Sequence, residues 1–373
     1  MQSVKGFLSY VTLVVCMLGL IIFIVEMSLI HKEVRYLKEM LRKSPTKLKR
    51  VSEHPAVLYK RYLDYYKKNY SSSEMKRRFK IFKSLQASLK DLPRLNQDPG
   101  ATYGLTKFSD MSHHELFNYR RDPLRDCTGL RMDCLNNDKR ISEFNCVDYP
   151  QNKTIPLKFD WRDYGKVGPV LNQRLCNGCW AFGIVGVMES MAAIRDDTSI
   201  VSLSIQQLLD CALEPNEGCD YGHVNTALSK MCRNKKAVVT EQVYPLKLVS
   251  QSCAYPYSSY SKRLKQYCQL CFADEENILR IVAHHGPVLT VVNAGPWVNY
   301  VDGVIQRSCY RSTDGGSKDH VVQIVGYDKT APIPHYIIRN SWGEDFGVGG
   351  YVKVALYGNV CGISEEIYYL NVY

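Results

Sequence analysis

The chain has 373 residues, 45% of them hydrophobic, 14 cysteines and a formal net charge of +11. That is enough apolar material for one large core with attached segments, and the composition excludes collagen-like, low-complexity and repeat architectures. The basic excess lies upstream: Glu26 to Lys153 carries 27 Lys and Arg against 16 Asp and Glu, whereas Thr154 to Tyr373 carries 20 against 21, which argues against nucleic acid as a partner of the downstream part.

Phe7 to Val25 is an uncharged apolar run of 19 residues. About 20 such residues cross a bilayer as a helix, so residues 1–27 read as a signal anchor or a cleaved signal peptide. Eight Lys and Arg residues from Lys32 to Arg50 follow the run, which by the positive-inside rule favours a cytoplasmic downstream side. The cysteines and the sequons at Asn69 and Asn152 favour an oxidising lumen instead. The cysteines carry more weight, because a disulfide-rich domain needs that compartment.

Residues 28–120 read as helical. Leu29, Val34, Leu37 and Leu41 share one helix face between Ser28 and Lys43, and Ser44-Pro45 ends it. Ala56 to Leu92 reads mainly as helix, with an N-cap in "SSSE" at Ser71–Glu74. "LPRLNQDPG" is a break, and "TYGLTKFSDMSHHELF" is an extended piece followed by a helix. Residues 121–153 show no periodicity and hold three cysteines, which reads as a linker. From residue 154 the pattern is globular. Cys179 to Arg195 and Ser204 to Cys211 read as helices. "PVLTVVNA", "HVVQIVGYD", "HYIIRN" and "GYVKVAL" alternate as strands. Helices first and strands later predict an α+β domain of two halves, residues 154–373.

The loop "NQRLCNGCWAF", Asn172 to Phe182, places Cys176 and Cys179 three apart. A cysteine nucleophile reacts as a thiolate, favoured by a helix N-terminus and a nearby base. Cys179 stands at a predicted helix start, His320 opens one strand, and Asn340, which can hold an imidazole in place, ends the next. A redox C-x-x-C leaves His320 and Asn340 unexplained. A zinc site with Cys268 and Cys271 needs a gap far beyond usual ligand spacing.

These residues, together with "VLNQRLCNGCWAFGIVGVMES" and "YGNVCGI", resemble the papain-like cysteine proteases, most closely the cathepsin O branch, from about Ala56 to Tyr373. The resemblance implies a two-lobed domain, helical on the left and β-barrel-like on the right, with the cleft between. It implies Cys179 as nucleophile, His320 as its acid–base partner and Asn340 as the group that orients His320. Trp342 would shield the pair, and Gln173 would donate to an oxyanion together with the Cys179 amide. Gly222 would bind extended peptide backbone. The implied disulfides are Cys176–Cys219, Cys211–Cys253 and Cys309–Cys361, with Cys179 left as the reactive cysteine.

"EMKRRFKIF" (Glu74, Arg78, Ile81, Phe82) and "GLTKFSD" resemble the family's inhibitory prosegment, although Leu85, Pro93 and Thr106 replace the usual asparagines. The resemblance thus implies a zymogen whose own prosegment is an intramolecular inhibitor. His113 and His114 read as ordinary surface histidines, with acid release by charging below about pH 6.5 as the other reading. Peptide or protein substrates, cystatin-like protein inhibitors, an acidic lumenal compartment and no metal or organic cofactor are the remaining expectations. A catalytically weak, membrane-tethered peptide-binding relative is the alternative.

Several positions depart from the family. Asn177 stands in the loop where glycine is usual, and is expected to adopt any left-handed geometry required there. Tyr221 in "GCDYGH" narrows the cleft entrance, Phe346 replaces a second Trp, and Asp319 precedes His320. Glu366, fifth after Cys361, falls at the base of the S2 pocket, where it would accept Arg or Lys at P2; a solvent-facing Glu366 is the other reading. Cys127, Cys134, Cys146, Cys232, Cys268 and Cys271 remain unassigned. Three of them lie in the linker, an odd number, so complete pairing requires a linker-to-domain disulfide.

Overall fold

A proline and a capping serine set where the chain first becomes helical. The computed structural model describes residues 54–89, 91, 98–112, 115–116, 130–134, 140–141, 153–212, 218–256, 258–307, 309 and 318–373. The readings on Phe7–Val25, residues 28–43, His113, His114, Cys127, Cys146 and Asn152 lie outside these residues. Pro55 opens helix α1 (Pro55–Tyr65), where its missing N–H costs nothing. Ser71 caps α2 (Ser72–Ser88) by accepting from the Glu74 amide. The mainly helical stretch expected from Ala56 to Leu92 is thus two helices, the second starting at the expected Ser71 cap, with the break at Tyr66–Ser71, where Lys67 takes φ +50°. Tyr59 and Tyr62 each pack 4.9 Å, centroid to centroid, from the fully buried Phe82.

Helix α3 (Cys179–Arg195) has no polar stripe and is buried on every side from Cys179 to Ala193, as an all-round apolar helix requires. Around it pack α4 (Ile205–Cys211), capped by Ser204, and α5 (Val224–Asn234). Helix α6 (Glu275–His284) packs in the other core, with the aromatic residues Trp297, Tyr300, Tyr327 and Tyr336. The two cores give the two lobes of an α+β fold.

The strands are β1 (Ala101–Tyr103), β2 (Leu130–Asp133), β3 (Arg140–Ile141), β4 (Lys158–Asp160), β5 (Val238–Val239), β6 (Ser261–Lys262) and β7 (Leu264–Cys271). They continue with β8 (Val288–Val292), β9 (Tyr300–Ile305), β10 (His320–Asp328), β11 (His335–Arg339), β12 (Tyr351–Ala355) and β13 (Glu366–Val372). The large sheet runs β1-β9-β12-β11-β10-β8-β13-β7-β2-β3, and β4 pairs with β10. β10 pairs with β8 from His320 to Ile324 and with β4 from Gly326 to Asp328. Its start lies where α3 packs across the sheet.

Two pieces upstream of residue 154 thus belong to this sheet. β1 joins β9 (Ala101 opposite Gly303), and β2 joins β7 (Leu130 opposite Gln269). The segment 121–153, which shows no periodicity, contributes β2 and β3 because its pairing partner is supplied by a distant strand rather than by local propensity.

Candidate active site

Cys179 is the first residue of α3, and Gly178 before it makes no side-chain cap. A Cβ at Gly178 would come within 2.8 Å of Leu209 and 3.1 Å of the Cys176 sulfur. Cys176 is bonded to Cys219, so a Cys176–Cys179 redox pair is excluded in this state. The Cys176–Cys219 bond ties the loop to the segment carrying Tyr221 and Gly222. The Asn177 amide donates to the Cys219 carbonyl at 2.8 Å, and its side chain donates to the Asp220 carbonyl at 3.0 Å. Left-handed backbone in this loop falls at Arg174 (φ +50°), and none is required of Asn177, whose side chain crosslinks the loop.

Cys179 is buried, with the Val321 and Trp180 backbone amides reaching its sulfur; burial pushes its thiol up to about 11, and those amides oppose the rise. Val321 follows His320, so the thiol lies at the start of β10. His320 is fully buried, and its Nε2 lies 2.7 Å from Asn340 Oδ1. The Ser341 amide also donates to Asn340 Oδ1, at 2.8 Å. That second bond fixes the oxygen as the atom facing His320. A carbonyl oxygen accepts only, so Nε2 carries the proton and neutral His320 has its lone pair on Nδ1. Trp342 lies over the imidazole, 4.8 Å between ring centroids at 32°. Phe346 stands edge-on to Trp342 at 4.8 Å.

Gln173 is fully buried. Its amide donates to the Cys176 carbonyl at 3.0 Å and accepts from the Ser341 hydroxyl at 2.6 Å. Ser341 therefore supports both Gln173 and Asn340, a role the sequence reading did not assign although Ser341 is Asn340's neighbour. Gly222 packs against Trp180, where a Cβ would come within 2.3 Å of Nε1. Tyr221 is half-buried, with its ring 5.8 Å from that of His223. The Asp319 carboxylate accepts from the Ala294 amide at 2.8 Å.

Glu366 is buried, not exposed, and its carboxylate is already occupied. Tyr368 donates to it at 2.5 Å and Gln269 at 3.3 Å, and Lys318 is 3.2 Å away. Burial rules out the solvent-facing reading of Glu366. Lys318, two residues before His320, escaped the sequence reading because nothing local links it to Glu366.

The upstream segment covers this region. The Gly104 amide donates to the Asn299 carbonyl at 2.9 Å, and the Thr106 hydroxyl to the Val298 carbonyl at 2.5 Å. Lys107 donates to the Trp342 carbonyl and pairs with Asp345 at 2.8 Å. Phe108 stands edge-on to Trp342, 5.2 Å between centroids. Behind it, buried Asp110 accepts from Tyr62 at 2.9 Å and Lys68 at 2.5 Å. Glu115 and Ser112 bond reciprocally, and Arg78 reaches Glu115 at 2.5 Å.

Among the described residues the further disulfides are Cys211–Cys253, Cys309–Cys361 and Cys134–Cys232, and Cys271 is also disulfide-bonded. With Cys176 and Cys271 so engaged, the four-cysteine zinc alternative fails. Among the described residues no group of three or more His, Cys, Asp and Glu side chains is arranged for a metal. Asn69 is exposed, and no described helix is long and apolar enough to cross a membrane.

Known proteins resemble this chain in both of its parts. Residues 155–371 match the model of the papain family cysteine protease, and residues 59–116 that of the cathepsin propeptide inhibitor domain. The chain is 38% identical to human cathepsin O over 218 residues, which is 58% of this chain and 66% of that protein. It is 35% identical over 311 residues to the viral cathepsin of Antheraea pernyi nuclear polyhedrosis virus, covering 83% of this chain and 90% of the relative. Among solved structures, procathepsin L2 from the Tenebrio molitor larval midgut superposes with a TM-score of 0.72 at 27% identity, over 85% of this chain and all of the other.

Proposed function

The chain belongs to the papain family of cysteine proteases and carries that family's propeptide inhibitor domain, and from that premise we propose that it is the zymogen of a cysteine endopeptidase acting through Cys179, His320 and Asn340. The observation that carries the proposal is the His320–Asn340–Ser341 chain, which leaves Nδ1 of His320 as the basic nitrogen.

In the reaction, His320 Nδ1 takes the thiol proton and the Cys179 sulfur attacks the scissile carbonyl. The C=O electron pair moves to oxygen, where the Cys179 amide and the second N–H of the Gln173 side chain stabilise it. Losing one such donor costs about 3 kcal/mol of transition-state stabilisation. His320 returns its proton to the leaving amine as the C–N bond breaks, leaving a thioester. Water, deprotonated by His320, hydrolyses the thioester and regenerates the thiol. Trp342 keeps water from the imidazole–amide pair, where it would compete for the hydrogen bond.

The zymogen reading is supported by the match of residues 59–116 to the propeptide inhibitor domain and by the contacts of Lys107 and Phe108 with Trp342. An acidic lumenal compartment is supported by the cathepsin-type relatives. Peptides bind extended along Gly222, past Tyr221.

The test is to acidify the full chain, treat it with an epoxide probe for cysteine proteases, and map the labelled peptide by mass spectrometry. Labelling of Cys179 that disappears in His320→Ala supports the proposal. Absence of labelling after verified removal of the prosegment overturns it in favour of peptide binding without turnover.

A further inference from the structure

The segment around β2 and β3 lies in neither matched domain: the inhibitor domain ends at residue 116 and the protease domain begins at 155. Its contacts are nonetheless those of the catalytic part. β2 pairs antiparallel with β7 over Leu130–Asp133, and the Cys134 amide donates to the Lys265 carbonyl at 3.0 Å. Cys134 is bonded to Cys232 of α5, and both sulfur-bearing residues are buried in the core around α3. The strands β2 and β3 extend the sheet beyond β7, whereas β1 sits at the other end of the strand order, on β9. The upstream chain is thus divided: residues up to Asp110 hold the Trp342 face, and Leu130–Ile141 holds β7 and α5.

We infer that residues 130–141 are a permanent part of the mature enzyme, kept there by Cys134–Cys232 as a second, disulfide-linked chain, and that releasing the inhibitor takes two cuts. A single hydrolysis downstream of Ile141 adds one water across one peptide bond and frees nothing, because the inhibitor stays joined through Cys134. Tethered, it faces the cleft at an effective concentration on the order of millimolar. A second cut between Leu116 and Leu130 separates the inhibitor and leaves the strand pair behind. Retaining it keeps β7 from becoming an unpaired edge, which attracts other chains.

The inference rests on the zymogen reading only in requiring that the prosegment be cut. The experiment therefore uses full-length Cys179→Ala protein nicked by added pepsin at acid pH, so that its outcome does not depend on the chain's own activity. The products are separated by size and weighed by mass spectrometry with and without phosphine reduction. The expected result is one Cys134-containing peptide per protease domain before reduction, released after it. Processed protein that carries no such peptide before reduction, or Cys134 and Cys232 alkylated as free thiols in unreduced protein, overturns the inference. The triple variant Cys134→Ser/Cys232→Ser/Cys271→Ser should lose the peptide on processing, Cys271 being included because it too is disulfide-bonded. Should it fail to fold, mapping of the Cys134–Cys232 peptide in the parent protein still decides the question.

Discussion

Phe108 stands edge-on to Trp342, and Trp342 in turn lies over His320. The prosegment therefore rests on the same indole that lies over the base. Edge-to-face aromatic pairs contribute about 0.5–1.5 kcal/mol beyond area burial. Phe108→Ala should raise the rate of epoxide labelling of Cys179 at neutral pH about tenfold, which corresponds to ~1.4 kcal/mol. Unchanged labelling would mean that Lys107 and Thr106 hold the cover without it.

Asn340→Ala removes the acceptor that fixes the proton on Nε2 of His320. General acid–base contributions are about 10²–10⁴-fold, and kcat of the activated enzyme should fall within that range while KM changes little. A rise in KM alone would show that Asn340 shapes the cleft rather than the base.

Glu115 ties the prosegment's pH response to a depressed carboxyl. Partial burial pushes it up, but the Ser112 amide and hydroxyl and Arg78 outweigh that and hold it down at about 2. A carboxyl whose folded pKa lies below its unfolded value stabilises the fold above the unfolded value, near 4.5, and that stability is lost as pH falls towards 2. Glu115→Gln should move the midpoint of acid activation to higher pH by about one unit; an unmoved midpoint would place the trigger elsewhere.

Glu189 has the opposite sign. Its folded pKa, about 7, is above the unfolded value, so its ionisation opposes folding and stability declines as pH rises from about 4.5 to 7. Glu189→Gln should flatten the thermal-stability profile in that window, with differences of several degrees at about 2–4 °C per kcal/mol. A parallel profile in the variant would show that Arg339 keeps Glu189 ionised throughout.

Lys318→Met removes the cation beside Glu366. Cleavage of substrates with Arg at P2, relative to Leu, should increase about tenfold, or ~1.4 kcal/mol. An unchanged ratio in a P2 library would mean that Tyr368 and Gln269 already hold the carboxylate out of reach.

Much of this was legible in the residues themselves. The helix at Cys179 follows from an unbroken apolar run after a glycine loop, and the cap at Ser71 from hydroxyl chemistry. Cysteine parity in the linker pointed to a bond with the catalytic part, and Cys134–Cys232 is such a bond. Other features depend on partners far away in sequence. Lys318 meets Glu366 and Ser341 meets Gln173 only once the lobes are assembled. β2 is a strand because β7 is beside it. Asn177 holds the loop with its side-chain amide, a use of asparagine that spacing alone does not reveal.

The pairing of β1 with β9 also sets a timetable. Gly303 is synthesised roughly 200 residues after its partner Ala101, and at ~5–20 residues per second β1 waits about 10–40 s for the strand it joins. The Trp342 surface that receives Phe108 emerges later still. The prosegment strand is made first, and much of the protease half is synthesised before its docking surface exists. A chain stalled before residue 300 has neither His320 nor β9, and so neither a base nor a strand for β1 to join.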